Sequence, residues 1–271
     1  MLAAIEQNMC LIVFAYQQHP DYPLILVANR DEFYVRPTES MQFWQDHPTV
    51  LAGRDLQQMG TWLGINQAGH FAAVTNVRDG RHIADNLLSR GDLTKGFLTT
   101  DLCAAEYLNQ LKSTQQSYGL FNLLIADKTG LYYFSNRGGA PQQLEPGLYG
   151  LSNAQLNTPW PKLIAAKQAL QCAIQENDLS HDRLSKILAS KQTADDTSLP
   201  DTGISYEWEK RLSSAFIHSS AYGTRATTTL IQATDGTTEL NENNFDVEGV
   251  TEQKRFIINV PALGSHEGAR N

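Results

Sequence analysis

The residue best placed for covalent chemistry is Cys10, which directly follows Met9 and opens an apolar run that ends at Tyr16. A cysteine thiolate is a nucleophile, and a chain that began at this cysteine would carry a free α-amine to take up the thiol proton. A lone cysteine in an apolar strand is also common core filling without reactivity. The residue type and its position leave both interpretations open.

Charged and amide side chains follow several strand-like segments. Arg30 and Asp31 come after the second apolar segment, where neighbouring opposite charges are typical of a structural ion pair. Asn76 and Asn153 each follow a short apolar segment, a position where asparagine commonly forms turns. Arg225 lies in a late segment, and its guanidinium, like that of Arg30, suits two-point binding of a carboxylate.

The composition is that of a globular protein whose core needs no disulfides. The chain has 271 residues, of which 41% are hydrophobic and 18% charged, enough for a sizeable core. Its 21 Lys and Arg against 29 Asp and Glu give a net charge of -8, which argues against nucleic-acid binding and against a polybasic membrane anchor. The three cysteines are odd in number and irregular in spacing, so we expect no disulfide framework and no metal site.

The location of the protein is predicted from what the first segments lack. The longest apolar run covers residues 10–16, far short of the roughly 20 residues that a membrane-spanning helix needs. Residues 1–8 carry no positive charge, so the basic start of a secretory signal is missing. We therefore predict a cytoplasmic protein with no integral membrane segment.

The elements that must position these side chains alternate between strand pairs and helical blocks. Strands are predicted at 10–16, 24–28, 60–65, 71–75, 121–126, 131–135, 148–152, 224–234, 237–240 and 256–260. Helices are predicted at 92–112, where Asp101 is a candidate cap for a second helix, at 160–174 and at 180–190. Residues 191–206 are polar, with proline and glycine, and form a candidate lid loop. This order predicts an α+β fold with antiparallel sheets.

Short motifs in order along the chain carry a resemblance to a known family. They are Met9-Cys10, Ala28-Asn29-Arg30-Asp31-Glu32-Phe33, Gly60-Thr61-Trp62-Leu63-Gly64, Thr75-Asn76, Gly150-Leu151-Ser152-Asn153 with Thr158-Pro159-Trp160, and Tyr222-Gly223-Thr224-Arg225. This set resembles the NRDE family, relatives of the eukaryotic transport and Golgi organisation protein two, over about residues 9–260. The resemblance implies an N-terminal-nucleophile-hydrolase-like αββα sandwich, two antiparallel sheets between helical layers. Residues 9–271 would form one NRDE domain, and residues 1–8 an extension or a misassigned start.

The resemblance also implies an enzyme of the bile-salt and penicillin amidase branch. Cys10 would be the nucleophile, and its thiolate would be favoured by the nearby Arg225. Asn76 and Asn153 would stabilise the oxyanion. Arg30 and Asp31 would lie beside the nucleophile, although they are adjacent here and separated by spacer residues in that branch. Cys10 would then act on amide or thioester substrates as an amidohydrolase or acyl transferase.

A second function follows from the same resemblance, because members of the family are linked to haem trafficking and to lipid and acyl-CoA homeostasis. On this interpretation the pocket holds a small hydrophobic cofactor, haem first, and passes it to a receiving protein. The cofactor-binding candidates are Arg30, Arg225, Trp62 and His70. The sequence has no Cys-x-x-Cys-His motif, so the haem would be non-covalent, with Cys10 as a candidate thiolate ligand. We favour this interpretation; the Cys10-dependent enzyme is the alternative, which requires a chain that starts at Cys10.

Overall fold

The computed structural model describes residues 9–82 and 87–264. The expected extension, residues 1–8, lies outside these ranges. In the part of the chain that the structure describes, every helix is too short or too polar to span a bilayer.

The elements alternate in the order that the sequence predicts. The strands are β1 (Met9–Tyr16), β2 (Leu24–Phe33), β3 (Thr38–Phe43), β4 (Val50–Asp55), β5 (Leu63–Asn66), β6 (Phe71–Asn76), β7 (Phe121–Asp127), β8 (Gly130–Ser135), β9 (Gln142–Gln143), β10 (Gly147–Leu151), β11 (Tyr222–Gln232), β12 (Thr237–Phe245) and β13 (Val250–Asn259). The α-helices are α1 (Gly91–Leu98), α2 (Ala104–Leu111), α3 (Pro161–Gln175), α4 (His181–Ile187) and α5 (Tyr206–Arg211).

Two antiparallel sheets contain these strands. The first has six strands in the order β10-β1-β2-β11-β12-β13, and the second has seven in the order β3-β4-β5-β6-β7-β8-β9. Neighbours in the first sheet come from both ends of the chain, since β2 pairs with β1 on one side and with β11 on the other. The segments of the motifs at 28–33 and 222–225 are thereby brought side by side.

The layers follow from the alternation of side chains along each strand. In β1, Ile12 and Phe14 pack into the core between the two sheets. Leu11 and Val13, on the opposite face, pack against α3 and α4. A further apolar cluster joins α1 and α2 to the outer face of the second sheet. The structure therefore confirms the α+β class and the αββα sandwich.

Some elements differ from the prediction. Strand β2 runs to Phe33 rather than to residue 28, because β1 and β11 pair with both of its edges and its charged end is buried. Strands β3, β4 and β9 and the short α5 were missed; the TESMQF sequence of β3 has no strand-like apolar pattern. The predicted helix 92–112 is broken, and α2 is capped by Cys103, not Asp101. The backbone N–H of Cys103 donates to Glu106 Oε2 at 3.0 Å.

Candidate functional site

Cys10 lies near the start of β1, opposite Arg30 of β2. Its parity along the strand matches that of Ile12 and Phe14, so it lies on the face between the sheets, where it is only 5% exposed. Burial, reinforced by the nearby Asp31 carboxylate, raises the pKa of the Cys10 thiol to about 12. The thiol is therefore protonated at neutral pH in the strand as it stands, and its nitrogen is the peptide nitrogen that follows Met9.

Arg30 and Asp31 are adjacent in β2 and so leave the sheet on opposite faces. Arg30 points between the sheets, where its guanidinium lies 4.2 Å from the Trp62 ring centroid and 3.6 Å from Glu32 Oε2. Asp31 Oδ1 accepts a 2.6 Å hydrogen bond from Thr224 Oγ1. The other carboxylate oxygen of Asp31 is buried and has no hydrogen-bond partner among the described residues. Both charges act on the Cys10 thiol, Asp31 raising its pKa and Arg30 lowering it.

Arg225 reaches the same place through an irregularity in the sheet. The register between β11 and β2 shifts after Thr224, so that Arg225 is the extra residue of a β-bulge and Ala226 pairs with Arg30. Such bulges re-aim a side chain and are frequent beside functional sites. One terminal nitrogen of Arg225 donates to three backbone carbonyls, that of Phe33 at the end of β2 and those of Tyr34 and Arg36 in the following loop, at 3.0–3.2 Å. Its Nε is buried and has no hydrogen-bond partner among the described residues.

Acidic residues and exposed apolar residues lie near Arg30 and Arg225. Arg36, in the loop after β2, lies 3.5 Å from Glu32 and 2.7 Å from Asp55 Oδ2. Val35 and Leu56, the chain neighbours of this ion pair, are both exposed. Charged groups that are chain neighbours of exposed apolar groups suit a ligand that has a polar head and an apolar body.

Asn76 and Asn153 are in direct contact. The amide nitrogen of Asn153 donates to Asn76 Oδ1 at 2.7 Å, and Ser152 Oγ donates to the carbonyl oxygen of Cys10 at 3.4 Å. The amide nitrogen of Asn76 is buried and has no hydrogen-bond partner among the described residues. Seven of the eight residues singled out from the sequence thus lie at one end of the sandwich: Cys10, Arg30, Asp31, Trp62, Asn76, Asn153 and Arg225.

His70 lies apart from them. Its ring stacks on Phe97 of α1 with centroids 4.6 Å apart, and its Nδ1 lies 3.2 Å from the Phe97 carbonyl oxygen. Phe97 belongs to the cluster under α1 and α2, on the outer face of the second sheet. The structure therefore does not bring His70 to the Cys10 end.

The sequence analysis missed three charged residues close to Cys10 and Asp31. Lys162, in the first turn of α3, is buried, and burial lowers its pKa to about 8 while the Asp31 charge opposes this shift. Burial likewise raises the pKa of Asp31 to about 6. Arg78 and Glu209 form a buried ion pair of 3.1 Å on the same side. The motif Thr158-Pro159-Trp160 ends two residues before Lys162, and this closeness in sequence could have identified the lysine.

Comparison with known proteins gives a consistent family. The family model described as Transport and Golgi organisation 2 matches residues 9–247. The Transport and Golgi organization protein 2 homolog of Bos taurus is 36% identical over 258 residues, which cover 88% of this chain and 93% of the relative. The Homo sapiens homolog is 35% identical over the same shares of both chains. The Drosophila melanogaster Transport and Golgi organization protein 2 is 27% identical, over 80% of this chain and 85% of the relative.

Two solved structures show weaker similarity. An N-acylethanolamine-hydrolyzing acid amidase ortholog from Caenorhabditis elegans aligns with a TM-score of 0.41 and 12% identity, over 82% of this chain and 92% of that one. A mutant of the conjugated bile acid hydrolase from Clostridium perfringens aligns with a TM-score of 0.30 and 11% identity, over 97% of this chain and 92% of that one. At these TM-scores neither similarity bears on the reactions of this chain.

Proposed function

The chain belongs to the Transport and Golgi organisation 2 family, and on that premise we propose that it binds a hydrophobic cofactor with carboxylate groups, haem first, at the Cys10 end of the sandwich. The protein would hold this cofactor in the cytoplasm without covalent attachment and release it to a receiving protein.

The observation that carries the proposal is the position of Arg225. At the bulge, Arg225 donates to the carbonyl oxygens of residues 33, 34 and 36 near the Glu32 charge, and its Nε is buried without a hydrogen-bond partner among the described residues. A buried, unpaired donor on a cation favours an incoming anion, since a carboxylate would satisfy it with a charge-assisted hydrogen bond. The exposed Val35 and Leu56 beside the site fit the apolar part of such a ligand.

The residues present fit the carboxylates of haem but not its iron. A protonated Cys10 thiol, with its pKa raised to about 12 by burial, is a poor source of the thiolate that iron binds. His70 packs under α1 on the other sheet. The candidate iron ligand Cys10 does not fit and His70 lies elsewhere, so the proposed binding rests on the arginines and on the exposed Val35 and Leu56.

The test is a haem titration followed by the Soret absorbance. Arg225→Ala should weaken binding about 10- to 100-fold, the effect of losing hydrogen bonds to a charged group. Arg225→Lys keeps the positive charge but cannot bind a carboxylate at two points, so its haem affinity should lie between those of the wild type and Arg225→Ala. Arg183→Ala is the matched control, because it removes a surface arginine of α4 that pairs with Glu176 at the end of α3, and it should bind haem as the wild type does. Equal binding by the alanine variants, or no saturable haem binding by the wild type, would refute the proposal.

A second candidate function is the Cys10-dependent amidohydrolase or acyl transferase, and the strand register favours it. Asp31 lies opposite Met9, so a chain that began at Cys10 would place its α-amine beside the Asp31 strand, where one carboxylate oxygen has no partner among the described residues. The amine would take the thiol proton, the sulfur would form a thioester with the substrate carbonyl, and the proton would pass to the leaving amine or thiol before water releases the acid. Asn76 would donate to the oxyanion.

Intact mass spectrometry of the untagged protein from its own host decides whether this enzyme can exist. A mass that begins at Cys10 supports it, and Cys10→Ala should then abolish turnover of amide and thioester substrates while haem binding is retained. A retained Met1 or Met9 leaves the cysteine without its amine and excludes this mechanism.

A further inference from the structure

A second buried polar cluster lies between the end of β6 and the start of α3. The guanidinium of Arg78 stacks on the Trp160 ring, 4.6 Å from its centroid, and pairs with Glu209 Oε2 at 3.1 Å. Lys162 Nζ lies 5.9 Å from the centroid of the same ring and donates to the Leu212 carbonyl oxygen at 2.8 Å. Two cations therefore lie close to one partly buried indole ring.

Asn153 holds Asn76 and Arg78 side by side. Its carbonyl oxygen accepts from the Arg78 backbone N–H at 2.7 Å, and its amide nitrogen donates to Asn76 Oδ1. Asn153 thus ties the side chain of Asn76 to the backbone of Arg78. Fixing Asn76 Oδ1 against Asn153 also fixes where the Asn76 amide nitrogen points.

Among the described residues, this cluster has three buried donors without a hydrogen-bond partner, against one such acceptor, Glu209 Oε2. The amide nitrogen of Asn76, and both Nε and one terminal nitrogen of Arg78, are buried and have no hydrogen-bond partner among the described residues. Asn76 is 2% exposed, and the side chain of Arg78 is 1% exposed. Buried donors are paired in native proteins in the great majority of cases. Two of these three donors are on the Arg78 guanidinium, and the third belongs to Asn76, which Asn153 ties to the Arg78 backbone, so an oxygen-bearing group would satisfy them.

The cluster combines two cations and a helix N-terminus with the nearby carboxylates of Glu209 and Asp31. Helix α3 begins beside it, with Trp160 as an N-cap that makes no side-chain hydrogen bond to the helix. A helix N-terminus carries a partial positive charge and attracts anions. The charges of Arg78 and Lys162 lie close enough that Arg78 contributes to the lowered pKa of Lys162.

We propose that Asn76, Arg78 and Lys162 form an oxyanion-binding site, which shares Asn76 with the candidate Cys10 enzyme site and does not use Arg225, and which takes the carboxylate or phosphate group of a ligand. Glu209 occupies one edge of Arg78 when the ligand is absent. Its other oxygen accepts from the Thr202 backbone N–H at 2.8 Å, and Thr202 in turn accepts from the Gly80 N–H at 2.8 Å. The segment 202–209 thus closes the site, and an entering anion competes with the Glu209 carboxylate.

The test measures unfolding temperature against concentration of inorganic phosphate or butyrate, with chloride at equal ionic strength as the reference. Glu209→Gln removes the competing charge and keeps an oxygen for Thr202, so it should gain about 5 °C or more from a saturating oxyanion, well above the wild-type gain. A response to phosphate or to butyrate identifies which oxyanion the site prefers. Glu176→Gln, the same change in the exposed pair with Arg183, is the matched control and should respond as the wild type does.

The second variant removes the donor. Asn76→Asp keeps the oxygen that Asn153 contacts and replaces the amide nitrogen with a carboxylate oxygen, so it should abolish the response both alone and combined with Glu209→Gln. Equal responses of Glu209→Gln and Glu176→Gln, or a response that survives Asn76→Asp, would overturn the proposal. If Glu209→Gln does not fold, the loss of the wild-type response in Asn76→Asp decides the question. Haem is absent from this experiment, so the oxyanion proposal and the haem proposal can each fail without the other.

Discussion

The alkylation rate of the Cys10 thiol tests whether burial in the folded chain suppresses its reactivity. Burial and the Asp31 charge raise the pKa of Cys10 to about 12. At pH 8 the thiolate fraction is then ~0.0001, against ~0.2 for a cysteine with the ordinary pKa of about 8.5. The thiolate is the reacting species, so alkylation should be about two thousandfold slower than at an ordinary exposed cysteine, before any further loss through limited access.

Iodoacetamide labelling followed by peptide mass spectrometry measures this difference within one molecule. The exposed Cys172 of α3 is the internal reference, and the rate of Cys10 should fall below it by three orders of magnitude or more. Asp31→Asn should accelerate labelling of Cys10, because it removes the charge that contributes most to the raised pKa after burial, and the asparagine oxygen can still accept from Thr224.

The matched control for the Asp31 substitution is Glu242→Gln. Glu242 is another buried carboxylate of the first sheet, and its Oε1 accepts from the Met41 backbone N–H at 2.7 Å, a bond that glutamine retains. Cys10 should react at the wild-type rate in this variant. If the wild-type Cys10 reacted as fast as Cys172, the thiol would be activated and the reasoning from burial would be wrong. If both substitutions accelerated it equally, general loosening of the sheet would replace the electrostatic explanation.

Two further predictions concern stability. Lys162 has its pKa lowered to about 8 in the folded chain, so the unfolded chain binds more protons between pH 8 and about 10.4, and the free energy of unfolding should rise over that window by up to ~3 kcal/mol. Urea unfolding at pH 7.5, 9 and 10 should show this rise in the wild type and not in Lys162→Met; a rise kept in the variant contradicts the assignment. Gly53→Ala would place a Cβ into the Trp62 indole, beneath Arg30, and should cost about 1–3 kcal/mol by overpacking. Gly138→Ala has room for its Cβ and should change the free energy of unfolding, measured by chemical denaturation, only a little. Equal losses of unfolding free energy in the two variants would show that the Trp62 indole moves aside at no cost.

Many of the strands and helices of the layered fold could be predicted from the sequence, because their local residue patterns agree with their final environment. The apolar run of β1 and the hairpin of β7 and β8 lie where apolar segments and turn residues predicted them. In these elements the residues that favour a strand are also the residues that the core needs. The family motifs then selected the αββα arrangement, which periodicity cannot distinguish from other antiparallel α+β folds.

The charged half of β2 illustrates what local patterns conceal. Arg30, Asp31 and Glu32 look like a strand end, yet all are buried within a strand that has neighbours on both sides. Pairing with β11, which comes from the far end of the chain, satisfies that backbone. No local signal in the sequence reports this pairing.

By itself the sequence determined which side chains can do chemistry and, through the order of its motifs, the family and the layers. Only the tertiary structure decided how those side chains are used. It placed Arg30 and Asp31 on opposite faces, directed Arg225 by a bulge, packed His70 under α1, and brought Arg78 and Lys162 to one indole ring. The physical reason is that a side chain's identity is local, whereas its burial, charge partners and protonation depend on strands and helices that meet only in the folded chain.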